Sequence, residues 1–331
     1  MNQLLFVKNL SVSFTFPHTT MHIVRNLSFN VNRGETLGIV GESGCGKSMM
    51  AKSLIGLLPE MQAKMISGTV VYKGQDMLKK NQREMRSFLG KEISMVFQDP
   101  MASLNPTIKI GNQVGEGYKN HHKGVGRDKV KQRVITLLAQ LGMSEPETRY
   151  HQYPHQLSGG MRQRVAIAIA TITEPELLIA DEPTTSLDAT MRTHVLDMLK
   201  AIQKKRGMSM ILITHDFSVV THLCERIAVM YAGDIIETAP TQDLLKSPKH
   251  PYTRSLIDVI PRIDMPPGQS LGTVEGTPPD LSLTPLGCSF ANRCPNVKQV
   301  CRSRKPNRVQ LSKSRCVSCW LYDRHEARET P

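Results

Sequence analysis

The sequence predicts an α/β fold, a parallel sheet with helices on both faces, on three observations. A short apolar strand runs directly into a glycine-rich loop and then a helix between residues 36 and 58. Strands and helices alternate again from about residue 177 to residue 232, the pattern of a parallel sheet with helical crossovers. Between these stretches, residues 107–157 switch to helical spacing, which marks an insertion into the sheet rather than more of it.

Taken in order, Leu5, Val7, Leu10, Val12 and Phe14 alternate or nearly so, PHTTMH interrupts, and Ile23–Val31 resumes the strand pattern. That reads as a hairpin and gives the fold an N-terminal antiparallel β subdomain. Thr36–Val40 is a short buried strand; a helix over Met49–Leu58 is expected to stop at Pro59, and the strands TVVY and ISMVFQ follow. The insertion, about residues 107–165, carries Val130, Val134, Leu138 and Leu141 at helical spacing. LLIAD, a long helix from about Asp188 to Lys205, MILIT, a further helix and RIAVMYAG complete the sheet. Residues 261–287 are rich in Pro, Gly, Ser and Thr, so the expected division is a domain over 1–250, a linker over 251–287 and a small cysteine-rich C-terminal extension over 288–331.

Bulk properties exclude several classes. The 331 residues are 40% hydrophobic, enough for a full core, and no apolar run approaches the ~20 residues of a membrane-spanning helix. The start MNQLLFVKNLSVSF lacks the layout of a signal peptide, so a cytosolic protein is expected. The net charge of +13 draws much of its excess from Arg293–Arg315, which holds no acidic residue. No aromatics interleave there to stack on bases, so solvated surface is the reading and no nucleic-acid partner is expected.

Gly41-Glu-Ser-Gly-Cys-Gly46-Lys47-Ser48 fits the phosphate-loop pattern between a strand and a helix. Glycines let the backbone curl so that N–H groups of Gly41, Ser43, Gly44, Cys45, Gly46, Lys47, Ser48 and Met49 can cradle phosphate at a helix N-terminus. Lys47 reaches the β- and γ-phosphates, and the Ser48 hydroxyl coordinates Mg²⁺. Leu177-Leu178-Ile179-Ala180 delivers Asp181 and Glu182 at a strand end, the first for the Mg²⁺ shell and the second to orient and polarise water. The reading is nucleotide hydrolysis.

At Leu157-Ser158-Gly159-Gly160-Met161-Arg162-Gln163-Arg164 the sequence resembles the ABC ATPases, whose LSGG signature precedes the strand that ends in DE. The resemblance implies that Ser158, Gly159 and Gly160 serve the ATP of a partner subunit. It also implies that Gln98 is the Q-loop glutamine that contacts Mg²⁺ and water, and that His215 is the switch histidine at the γ-phosphate. Ser186-Leu187-Asp188 is similar to the D-loop, where Ser186 often is Ala in the family, and Phe14 is placed to stack on adenine where many members carry Tyr. These positions cover residues 4–240.

The finer resemblance is to the peptide/nickel importer branch, closest to its dipeptide and oligopeptide ATPases, on QDPMASLNP, Lys249-His250-Pro251-Tyr252-Thr253 and the tail GCSFANRCPN…C…CVSCWLYD. It implies a peptide importer, with nickel or another small solute as the alternative cargo. It implies a second homologous ATPase, two permeases and an extracytoplasmic binding protein as partners, and a peripheral place on the cytoplasmic face of the membrane. Cys288, Cys294 and Cys301 with a fourth thiolate suit a sulfur-bound metal group. Relatives carry a [4Fe-4S] cluster there, which selects Cys319, with Cys316 the alternative ligand and Zn²⁺ the alternative metal. A different class, a soluble ABC ATPase acting on nucleic acid or ribosomes, is disfavoured by the lack of a coiled-coil insertion or a second cassette.

Overall fold

The computed structural model describes residues 2–58, 64–185, 187–260, 276–283 and 285–323. The N-terminal strands β1 (Gln3–Phe16) and β2 (Thr19–Asn32) precede β3 (Thr36–Val40), whose five residues are all buried. Helix α1 (Lys47–Leu54) opens at Gly46. It stops one turn short of the expected Leu58, because Gly56 takes φ +68° and the Leu57 and Gly56 N–H groups close back on the carbonyls of Lys52 and Ser53. Strands β4 (Lys64–Tyr72) and β5 (Gln75–Asp76) lead to α2 (Gln82–Phe88), which Asn81 and Glu84 cap reciprocally.

Strand β6 (Ile93–Val96) is followed by α3 (Pro100–Ser103), N-capped by Asp99. The insertion supplies α4 (Ile110–His121), α5 (Arg127–Gln140) and α6 (Pro146–His151) before α7 (Gly159–Thr171). Then come β7 (Leu177–Asp181), α8 (Ala189–Arg206), β8 (Ser209–Thr214), α9 (Phe217–Leu223), β9 (Arg226–Tyr231) and β10 (Asp234–Pro240). The C-terminal part adds α10 (Thr241–Lys246), α11 (Pro251–Asp258), α12 (Gln299–Ser303), β11 (Arg308–Ser312) and β12 (Arg315–Ser318). Among the described residues, no helix is long and apolar enough to cross a membrane.

The chain forms two compact units. The first comprises Met1–Leu4, Val31–Thr36 and Met77–Ile213. In it β6, β7 and β8 run parallel, with Ile93 opposite Leu177 and Leu177 opposite Ser209. Every residue of β7 and β8 is buried. That explains why their sequences are continuous apolar runs without alternation: both faces are covered. Helix α4 packs on α5, α6 and α7, and it comes close because Gly111 lies against Tyr150 and Gly115 against Val130.

The second unit comprises Leu5–Asn30, Leu37–Asp76 and Thr214–Pro331. Here β4 is antiparallel to both β1 and β5, within a sheet ordered β2-β1-β4-β5. In a separate sheet β9 pairs parallel with β3 and antiparallel with β10. A bulge falls in β10, where Ile235 faces Met230 but Glu237 faces the adjacent Val229.

Two features of this unit were not expected. Residues 251–258, read as the start of a linker, form α11, because Pro251 suits the first helical position and the His250 ring accepts the Tyr252 N–H at 3.1 Å. The tail is not all loop: β12 pairs antiparallel with β10, and β11 pairs with β12.

Most of the basic stretch is exposed, at Lys298, Arg302, Arg304, Lys305, Arg308 and Lys313, while Arg293 and Arg315 are drawn into the same unit. Arg315 lies 2.7 Å from Glu237, Lys305 lies 2.5 Å from Asp234, and Arg308 donates to the Ser28 carbonyl at 2.7 Å.

Candidate nucleotide site

The phosphate loop lies in the second unit, between β3 and α1. Two of its glycines are demanded by their surroundings. A Cβ on Gly41 would sit 2.1 Å from the Met230 carbonyl oxygen. One on Gly46, at φ +101°, would sit 2.5 Å from the Ile23 carbonyl oxygen. Cys45, Gly46 and Lys47 are buried, while Ser43 and Gly44 are exposed, and Ser48 and Met49 are half-buried in the first turn of α1. The Lys47 ammonium donates to the carbonyls of Gly41 at 2.8 Å and Glu42 at 2.9 Å, and it lies 3.8 Å from the Cys45 sulfur. Burial pushes the Cys45 thiol up in spite of that ammonium, so it stays protonated at neutral pH.

Glu42, at the mouth of the loop, is tied by its neighbours. Its carboxylate accepts both forks of Arg293, at 2.8 and 3.0 Å, and its N–H donates to the Tyr252 hydroxyl at 2.9 Å. The Arg293 side chain is only 5% exposed. Tyr231, Tyr252 and Phe290 pack around it, with ring centroids 4.5–5.3 Å apart. These partners escaped the sequence reading, since Tyr252 and Arg293 lie 210 and 251 residues beyond Glu42.

The acidic pair lies in the first unit. Asp181 ends β7, is 1% exposed, and faces Ile213 of β8. Glu182 follows at φ +47°, a left-handed conformation that non-glycine residues rarely hold; its N–H donates to the Ile213 carbonyl at 2.8 Å. Its carboxylate accepts the Gln98 side-chain amide at 3.1 Å and the Thr185 hydroxyl at 2.8 Å. Gln98 and Glu182 are thus brought together, and Thr185 is a further partner that the sequence did not indicate. Such strain is typical of functional sites, and the hydrogen bonds orient the carboxylate.

The signature segment is also in the first unit. Ser158 N-caps α7, accepting the Met161 N–H at 3.3 Å, and Gly159 is exposed with no atom near the position of a Cβ. Gly160 is half-buried. An exposed helix N-terminus with small residues leaves its N–H groups open to an anion. Asp188 N-caps α8 through the Met191 N–H at 2.8 Å, whereas Ser186 lies outside the described residues. His215, in the second unit, is an exposed residue between β8 and α9.

One placement is corrected. Phe14 is 1% exposed and belongs to the core of β1, so its ring is not presented to an adenine. The alternation that placed it in the strand also sends it inward.

In the tail, Cys288, Cys294, Cys301 and Cys319 line one small cavity of about 10 Å³, together with His250 and Trp320. Cys316 is not on it. That residue lies in β12, opposite Thr238 on one side and Gln310 on the other. Burial pushes the Cys288 thiol up to about 12 and the Cys319 thiol up to about 11, and it raises Cys294 as well. His250 is buried, its charge suppressed by desolvation down to about 3, and its Nε2 has no hydrogen-bond partner among the described residues. Among those residues no three His, Cys, Asp or Glu side chains converge closely enough to hold a metal ion. The four cysteines therefore share a cavity without forming a preset coordination sphere.

Comparison with known proteins places these features. The ABC transporter family matches residues 24–185, and the oligopeptide/dipeptide transporter C-terminal region matches residues 236–301. The chain is 47% identical to the dipeptide transport ATP-binding protein DppD of Bacillus subtilis, over 98% of this chain and 96% of that one. It is 41% identical to the oligopeptide transport ATP-binding protein OppD of the same organism, over 96% and 89%. Among solved structures, the ATP-binding cassette MJ0796 bound to ADP and Pi superposes with a TM-score of 0.65 at 25% identity, covering 72% of this chain and 99% of that one. The cassette cbiO1 of Clostridium perfringens superposes at 0.62 and 28% identity, covering 75% and 92%. On that family match and on near full-length identity to DppD, the chain belongs to the ABC transporter family as one of its ATP-hydrolysing subunits.

Proposed function

We propose that this subunit powers the uptake of di- and oligopeptides through separate permease subunits, working peripherally at the cytoplasmic face of the membrane. The observation that carries this is the match of residues 236–301 to the C-terminal region of oligopeptide and dipeptide transporters, joined to near full-length similarity to DppD and OppD. An extracytoplasmic binding protein delivers the cargo, and a second, homologous ATPase completes the motor. A nickel or other small-solute importer is the alternative within the same family.

Each residue has a role in this reading. The N–H groups of Gly41 and of residues 43–49 cradle phosphate, and the Lys47 ammonium exchanges its two carbonyl partners for the β- and γ-oxygens. Glu182, oriented by Gln98 and Thr185, accepts the proton of the attacking water. His215 contacts the γ-phosphate, and Ser158, Gly159 and Gly160 close over the ATP of the partner subunit. Ser48, Gln98 and Asp181 offer the hard oxygens that Mg²⁺ prefers, and the ion, when bound, neutralises developing phosphate charge.

The domain division proposed is a cassette over 1–250, a segment over 251–287 that opens with α11, and a cysteine-rich extension over 288–331. Within the extension, Cys288, Cys294, Cys301 and Cys319 hold a [4Fe-4S] cluster, with Zn²⁺ as the alternative. What supports this is the shared cavity, the burial that pushes the Cys288, Cys294 and Cys319 thiols up, and a buried imidazole Nε2 that lacks an acceptor among the described residues. Because Nδ1 already accepts the Tyr252 N–H, Nε2 carries the proton and can donate to sulfur. The group staples the tail.

Two experiments test the proposal. Cells lacking the gene are supplied with wild type or Glu182→Gln and assayed for uptake of labelled peptides. Restoration by wild type alone supports it, and uptake independent of the gene refutes the peptide cargo. Anaerobic purification with iron, sulfide and zinc analysis tests the cysteine site, and protein free of all three rules out both metals.

A further inference from the structure

The cysteine-bearing extension reaches into the phosphate loop. Between Cys288 and Cys294 lie Phe290 and Arg293, and the Arg293 guanidinium is forked onto the Glu42 carboxylate at 2.8 and 3.0 Å. Glu42 is the second residue of the loop, immediately after Gly41. Every polar group of that residue is engaged. Its carboxylate takes Arg293, its N–H is given to the Tyr252 hydroxyl at 2.9 Å, and its carbonyl accepts the Lys47 ammonium at 2.9 Å. Arg293 also lies over the Tyr231 and Phe290 rings, 5.9 and 6.0 Å from their centroids, and its Nη1 donates to the Tyr231 hydroxyl at 3.3 Å.

A phosphate cradle works only if its N–H groups already point inward, because ordering them on binding would subtract from affinity. The glycines that give the loop its curl also make it free to uncurl. Something must hold it: the Lys47 ammonium that clasps it must leave to meet phosphate, and within the loop the Cys45 N–H then stays on the Glu42 carbonyl at 3.3 Å. The remaining anchors on Glu42 come from outside the loop, from Tyr252 in α11 and Arg293 in the extension. A bidentate guanidinium–carboxylate pair fixes orientation as well as distance, and burial of Arg293 shields it from water.

We infer that Arg293, with Tyr252, is a positioning residue for ATP: it pre-sets the phosphate loop through Glu42, so the C-terminal extension controls nucleotide affinity. The inference rests on the reading of residues 41–48 as the nucleotide cradle. It does not depend on whether the neighbouring cysteines carry a metal group.

The test uses the purified full-length chain and a fluorescent ATP analogue titrated by anisotropy, with the melting temperature recorded in the absence of nucleotide. Arg293→Met should weaken the analogue about tenfold, on the order of one charge-assisted hydrogen bond. Arg293→Lys, which keeps the charge but loses the fork, should fall between wild type and Met. Glu42→Gln should resemble Arg293→Met, and the double variant should bind no worse than the weaker single one, since both remove one contact. Should Arg293→Met fail to fold, Arg293→Lys and Glu42→Gln carry the same comparison. Variants that melt lower yet bind within twofold of wild type overturn the inference and leave Arg293 a purely structural residue. A wild type that itself binds no analogue overturns the nucleotide reading, and this inference with it.

Discussion

Replacing Arg315 by Met should destabilise the protein by about 3 kcal/mol, a figure that follows from what the change strands. Arg315 lies 2.7 Å from Glu237, whose side chain is fully buried, and it also donates to the carbonyls of Ser247 and Asp243. Removing the guanidinium leaves a buried carboxylate whose remaining donors are the N–H groups of Lys249, at 3.0 Å, and His250, at 2.8 Å. Breaking a buried pair by deleting one partner costs roughly 3–5 kcal/mol. The low end applies here because two backbone donors stay in place and the methionine stem refills part of the volume. For cooperative unfolding of 331 residues, with an entropy of about 2.1 cal/mol/K per residue, the melting temperature should fall by about 4 °C. Calorimetry or circular dichroism at pH 7 reads the shift. The companion Glu237→Gln variant completes a double-mutant cycle, and the double variant should be less destabilised than the two singles added together. A melting temperature within 1 °C of wild type, or strictly additive losses, would refute the argument that this pair docks β12 onto β10.

Glu182→Gln should lower ATP turnover by about 10²–10⁴-fold while analogue affinity changes little, measured by phosphate release and anisotropy on the same preparation. Gly41→Ala puts a Cβ 2.1 Å from the Met230 carbonyl oxygen, so the loop must shift; analogue binding should weaken at least about tenfold, and unchanged binding would show that the backbone gives way freely. Asp188→Ala removes the N-cap of α8 and should cost about 1 kcal/mol, visible as faster amide exchange in the first turn of that helix. Cys45 is buried and its thiol pushed up by desolvation, so maleimide should label it at least about tenfold more slowly in the native chain than in urea, with peptide mapping as the readout.

The parts of the site legible in the sequence were those whose chemistry is local. Gly41, Gly46 and Lys47 announce a phosphate cradle because a tight curl and a cation are needed within a few residues, and the close approaches at Gly41 and Gly46 bear out that need. The apolar run ending at Asp181 likewise declared a strand covered on both faces, which is what β7 is. Pairing across long stretches of chain was not legible. Nothing around Glu42 announces Arg293 or Tyr252, and nothing in the mostly exposed run Arg293–Arg315 singles out Arg293 and Arg315 as the two that turn inward to Glu42 and Glu237. Phe14 shows the opposite difficulty, where one strand pattern fits a buried ring and an exposed one until packing decides. Residues 251–258 were misread because proline signals a break in most contexts but a beginning at the first position of a helix.

The extra residue in β10 sets the phase of everything downstream of it. Ile235 faces Met230 and Glu237 faces Val229, so the strand advances two residues against one step of β9. Deleting Ile236 would restore an even count and turn each later side chain to the opposite face of the sheet. Glu237 would then point away from Arg315, and the pairing of Glu237 with Val317 and of Thr238 with Cys316 would slip by one. A lesion four residues before the end of one strand would thus read out as loss of the tail and, through Arg293, of the grip on Glu42. Chains diverging from this one should tolerate substitution at Ile236 far more readily than a change in its number.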